Sequence, residues 1–322
     1  MFIVISCIAL RTFPQSTAGI TNKRDTSFTT YQAYLSTKKT HPDIKMVEEL
    51  APGAVIELKN LRYSFYGEER QDTLFLDAFL HYPKKIDKSI AIIILHGGGW
   101  RTGDRSQHYP LAQRLAKLGY ACFTPEYRLS TEALYPAAVL DIKTAIQWVR
   151  VNAKAFNVDT NKIMVAGFSA GGEVAGMIGL KYDAGNASDT DPVERVSSRP
   201  DFNILIYPFY RPGSAPFRPG APPEPRVPLA LMPVVNNEQF PVLEGAPPVF
   251  MICTTDDPSH VVPTVQFYLE LQAKKVPTEM HIYEYGEHGF GLRPTKKPGS
   301  PVENWPARMM EWLTSRELIK SS

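Results

Sequence analysis

The rhythm of apolar positions changes near residue 88. Before that point two runs between Val55 and Tyr82 read as strands, IELKNLRYSF and LFLDAFLHY, joined by the polar stretch GEERQD. Neighbouring strands with a short polar link predict an antiparallel pair. Beyond it, uninterrupted apolar runs alternate with stretches of helical period. IAIIIL (90–95), YACFTPEY (120–127), KIMVAGF (162–168), FNILIYPF (202–209) and PVFMICT (248–254) have the pattern of strands covered on both faces, and EMHIYEY (279–285) closes the series. Between them Leu111, Leu115 and Leu118 recur at helical spacing, and Ala138 to Val151 places Ile142, Ile146 and Val149 on one face. Helices are also expected at AGGEVAGMIGL, at Val262 to Lys274 and at Asn304 to Ile319. Strands alternating with helices predict an α/β protein with a mostly parallel central sheet flanked by helices.

Two regions stand outside this rhythm. Residues 20–50 are polar and loosely patterned, with a short helix expected around Tyr31 to Lys38. Residues 211–248 hold eleven of the 28 prolines and no periodic element. A structureless stretch of that length is usually functional or disordered, so it reads as an insertion over the carboxyl edge of the sheet that shapes substrate choice.

Composition narrows the function classes. Hydrophobic residues make up 43% of the 322 positions and charged residues 21%, values of a globular chain. The net charge is +2 with no long basic run, so no nucleic-acid partner is expected. Cys7, Cys122 and Cys253 have no CxxC spacing, which argues against a metal or redox site; no cofactor is implied. The opening MFIVISCIAL is too short to span a bilayer but suits a signal-peptide core, with Ser16 and Ala18 meeting the small-residue cleavage rule. No Lys or Arg precedes it. The expected organisation is a signal peptide over 1–18, an extension over 19–50 and one domain over 51–322. A secreted or periplasmic location follows from that leader, with a cytoplasmic one as the alternative. No other segment approaches membrane length.

The chemistry-bearing residues lie where strands end. Gly167-Phe168-Ser169-Ala170-Gly171 is a G-x-S-x-G pattern that closes a buried strand and opens a helix. In that setting the serine sits on a strained turn with its hydroxyl projecting, and the helix N-terminus faces developing negative charge. His96-Gly97-Gly98-Gly99-Trp100 follows IAIIIL. Consecutive glycines let backbone amides approach an oxyanion, so Gly98, Gly99 and Ala170 are the expected donors. With neither GxxxxGK[ST] nor GxGxxG present, phosphate binding by this loop is disfavoured. His288 stands in GEHGF after the last strand and is the expected general base for Ser169. Asp256-Asp257-Pro258 follows VFMICT and supplies the acid. Asp257, extended by the proline after it, is favoured over Asp256, which would brace the loop. His281 lies inside a strand, and His41, His81, His108 and His260 have no motif around them; they are expected at the surface or in packing.

HGGGW, PEYRLS, YPAAVLDIKTAIQWVR, GFSAGGE, DDP and EHGFGLRP occur in this order across residues 50–320. Together they resemble the α/β-hydrolase branch of bacterial feruloyl-esterase-like and acetyl xylan esterase-like proteins, and more distantly the hormone-sensitive-lipase type. The resemblance implies the α/β-hydrolase fold. It also implies a serine carboxylic-ester hydrolase working through a Ser-His-Asp triad and an acyl-enzyme. The expected substrates are small-molecule or polysaccharide esters bearing short or aromatic acyl groups. An aspartate before proline at the acid position is common in such relatives, while Glu173 stands where many have histidine. A peptidase of the same fold and a non-catalytic binding protein on this scaffold are the alternatives.

Overall fold

The computed structural model of the protein describes residues 20–66, 72–83, 87–209, 242, 245–292 and 299–316. The expected leader (1–18) and almost all of the proline-rich insertion (211–248) lie outside the described residues.

The antiparallel pair is β1 (Ile56–Tyr66) and β2 (Asp72–Leu80). The strands that follow are β3 (Ser89–Leu95), β4 (Ala121–Pro125), β5 (Val158–Phe168), β6 (Phe202–Ile206), β7 (Val249–Thr254) and β8 (Thr278–Tyr283). They form one eight-stranded sheet in the order β1-β2-β4-β3-β5-β6-β7-β8. From β4 to β8 every neighbouring pair is parallel, and β2 meets β4 antiparallel.

Period-two alternation along the buried strands feeds two cores. Ala91, Ile93 and Leu95 of β3 face one, and Ile90, Ile92 and Ile94 face the other. On the first face lie α3 (Ala137–Val151), α5 (Ala170–Leu180) and α6 (Pro258–Ala273), through residues such as Ile142, Val174 and Phe267. On the second face lie α2 (Tyr109–Lys117) and α7 (Trp305–Ser315), through Leu111, Leu115, Met309 and Trp312. The remaining helices are the short α1 (Thr30–Lys38), at the expected place, and α4 (Ala153–Phe156).

Helix ends differ most from expectation at α6 and α7. α6 begins at Pro258, four residues before the expected Val262, because proline fits the first helical position, where no amide bond is required. α7 begins at Trp305 and ends at Ser315, short of the expected Ile319; residues 317–322 lie outside the description.

The extension before β1 is tied to the domain. The amides of Thr21 and Asn22 donate to the carbonyl of Thr131, and the amide of Gly103 donates to that of Asp25 at 2.9 Å. Arg24 pairs with Glu132 (3.3 Å), and Arg105 bridges the buried Asp77 (3.0 Å) and Glu126 (2.8 Å). Among the described residues no helix is long and apolar enough to cross a membrane.

Candidate active site

The carboxyl ends of β3, β5, β7 and β8 bring the expected residues to one edge. Ser169 sits between β5 and α5 with φ of 52° and ψ of −120°, a conformation rarely adopted by a residue with a side chain. The turn is held by a bond from the Ser169 amide to the carbonyl of Ile206 (3.0 Å) and by the crossing of α5 against the end of β3. That crossing explains the flanking glycines. A Cβ on Gly167 would lie 2.0 Å from the carbonyl oxygen of Gly171, and one on Gly171 would lie 2.5 Å from that of His96. Backbone can approach backbone this closely only where both positions lack a side chain.

The Ser169 hydroxyl lies 2.9 Å from Nε2 of His288, and Nδ1 of His288 lies 2.7 Å from Oδ2 of Asp257. With the Nδ1 proton donated to Asp257, Nε2 is left to accept from the serine. Asp257 is buried, at 4% exposure, whereas His288 is exposed to the solvent that a substrate would displace. Burial opposes the charge of Asp257, but hydrogen bonds from His260 and His288 outweigh it and hold its carboxyl well below the usual range. The adjacent Asp256 does something else. Its carboxylate accepts from the amides of Gly286 (3.1 Å) and Glu287 (2.8 Å), pinning the loop that carries His288. Tyr207 presents its ring at an angle to His288, with centroids 4.8 Å apart.

The glycine loop after β3 is shaped by left-handed backbone at Gly98, Gly99 and Trp100. Its turn closes with the amides of Arg101 (3.2 Å) and Thr102 (3.1 Å) donating to the carbonyl of Gly98. A Cβ on Gly98 would fall 1.7 Å from the carbonyl oxygen of Thr102. Trp100 is buried and donates its indole N–H to Glu173 at 2.8 Å, so the loop is fastened to the first turn of α5, where Ala170 lies.

His96 is buried beside the loop, and His108 is half-buried. His96 stacks on Tyr127 and bonds the carbonyl of Gly97, and His108 stacks on Phe168. Burial pushes the first down to about 4 and the second to about 3. Both Nε2 atoms lack a partner among the described residues. His281 lies in β8, bonded to Glu279.

His260 departs from expectation. It is no detached packing residue: its Nδ1 lies 2.9 Å from Oδ1 of Asp257, and its ring stacks on His288 with centroids 3.9 Å apart. The spacing in DDPSH carried a signal, since the first turn of a helix starting at Pro258 returns residue 260 toward residue 257. Asp257, His260 and His288 are also the only group of three such side chains, among the described residues, whose donor atoms converge within 4.8 Å.

An eight-stranded, mostly parallel sheet with helices on both faces and a strand-turn-helix serine defines the α/β-hydrolase class. The BD-FAE family model matches residues 76–207, the stretch from β2 to just past β6. Esterase LipC of Mycobacterium tuberculosis is 32% identical over 180 residues, covering 50% of this chain and 44% of that protein. Endo-1,4-beta-xylanase B of Butyrivibrio fibrisolvens is 28% identical over 227 residues, covering 67% of this chain and 34% of that protein. This chain thus spans less than half the length of both. The crystal structure of an acetyl ester-xyloside bifunctional hydrolase from Caldicellulosiruptor lactoaceticus is 28% identical, with a TM-score of 0.67, covering 81% of this chain and 98% of that one. Within the α/β-hydrolases, the chain is thus similar to proteins that include an esterase and an acetyl ester-xyloside hydrolase.

Proposed function

We propose that the protein is a serine carboxylic-ester hydrolase acting on short-chain or aromatic acyl esters of carbohydrates. The observation that carries this reading is the unbroken line of hydrogen bonds from Ser169 through His288 to Asp257. His288 takes the serine proton as Oγ attacks the ester carbonyl, and Asp257 holds the correct tautomer and stabilises the imidazolium that forms. The resulting oxyanion is met by the amides of Gly98, Gly99 and Ala170, which have no other acceptor among the described residues. The imidazolium protonates the departing alcohol, and water, activated by the same histidine, releases the acid.

The carbohydrate part of the reading is supported by the names of two relatives, a xylanase and an acetyl ester-xyloside hydrolase. The test is a panel of nitrophenyl acetate, acetylated xylan, methyl ferulate and longer acyl esters. Highest kcat/KM on acetylated or feruloylated sugars supports the reading. Preference for long acyl chains on simple alcohols would restrict it to a general esterase.

A further inference from the structure

We infer that His260 is a positioning residue that fixes the Asp257 carboxylate and backs the His288 ring; this rests on the triad proposed above. The carboxylate has two oxygens and both are taken. Oδ2 accepts from His288 (2.7 Å), while Oδ1 accepts from His260 (2.9 Å) and from the hydroxyl of Ser259 (3.0 Å). Without His260 only the rotatable Ser259 hydroxyl would hold Oδ1, and the carboxylate could swing about its Cβ–Cγ bond, because that torsion is soft. Bonds at both oxygens remove the freedom, so Oδ2 stays aimed at His288 while that imidazole gains and loses its proton.

The second contact is face to face. The His260 and His288 rings lie 3.9 Å apart at 25°, and the Tyr207 ring also packs against His288 at a steep angle, with centroids 4.8 Å apart. An exposed histidine on a loop gains from such a wall, since its ring must keep Nε2 within reach of Ser169. His260 is itself placed by α6, whose first turn starts at Pro258, and by the ring of Phe209, 5.5 Å away. A rigid helix thus carries the support, while the loop carries the base.

Misplacement of a reacting group by about 1 Å costs on the order of a hundredfold in rate. Loss of His260 is therefore expected to lower kcat by about 10- to 100-fold, with KM within about twofold, because the defect lies in the transition state rather than in substrate binding.

The experiment uses the full chain with nitrophenyl acetate. Wild type and Ser169→Ala are measured first; if Ser169→Ala keeps its activity, the triad reading fails before His260 is tested. His260→Ala, His260→Asn and His260→Phe follow, with kcat and KM separated. The downfield proton resonance of the His288–Asp257 bond is recorded for each. Asparagine keeps a donor on the atom corresponding to Nδ1, and phenylalanine keeps only the ring. Support is a kcat loss in the alanine variant, recovery of most of it in the asparagine variant, and an altered resonance wherever the donor is missing. A folded alanine variant with wild-type kcat and resonance overturns the inference. So does an asparagine variant as impaired as alanine, or an effect confined to KM. Should the alanine variant not fold, the contrast between asparagine and phenylalanine decides by the same criteria.

Discussion

Asp256 and Asp257 are neighbours with the same side chain, and their environments assign them different work. Asp257 is buried and faces two imidazoles, whereas Asp256 is exposed and accepts the amides that pin the loop carrying His288. Replacing Asp257 by asparagine is expected to lower kcat on the order of ten-thousand-fold, because the His288 tautomer is no longer enforced. Asp256→Asn should cost far less, since an amide oxygen still accepts the two backbone bonds. Paired kinetics on folded variants check this, and the opposite ranking would move the acid to Asp256. Sequence favoured Asp257 through its proline, a local backbone argument. It missed His260, because a histidine three residues from an aspartate becomes meaningful only once the helix start at Pro258 is known.

At the scale of elements, the serine turn was legible because its requirements are local: a buried strand, two glycines and a helix. What the glycines avoid was not legible, since Gly171 is crowded by the carbonyls of Leu95 and His96, more than seventy positions earlier in the chain. Gly171→Ala is therefore expected to push α5 away from β3 at a cost of about 1–3 kcal/mol, the usual range for overpacking. Urea unfolding measures the loss, and kcat should fall with it because Ala170 moves with the helix. Unchanged stability and activity would show that α5 does not cross β3 this closely. The start of α6 was read late for a related reason. The helix was expected only from Val262, yet Pro258 is at home in a first helical turn.

Across the whole molecule, the class of the sheet followed from continuous apolar runs, but the strand order did not, because pairing β4 with β2 and β3 is set by contacts distant in sequence. The extension before β1 read as loosely patterned, since it is held by backbone bonds and ion pairs that leave no periodic apolar trace. The lowered proton affinities of His96 and His108 were equally illegible in sequence. His96 and His108, at about 4 and 3, remain neutral in the folded protein at pH values where the unfolded chain takes up protons near 6.5. The unfolded state thus binds more protons below 6.5, and stability must fall as pH drops from there toward 4. Each histidine contributes a slope of about 1.4 kcal/mol per pH unit. Urea unfolding between pH 7 and 5 should show this decline, and His108→Leu should make it shallower. An unaltered slope in that variant would mean that His108 is protonated in the fold.

In the proposed reading Ser169 is the nucleophile of an acyl-transfer site built from the ends of β3, β5, β7 and β8. Steady-state hydrolysis of nitrophenyl acetate by wild type and by a folded Ser169→Ala variant is the decisive comparison. A loss in kcat on the order of a million-fold is expected, because a triad acts as a unit. Hydrolysis by Ser169→Ala at a rate near that of wild type would contradict it.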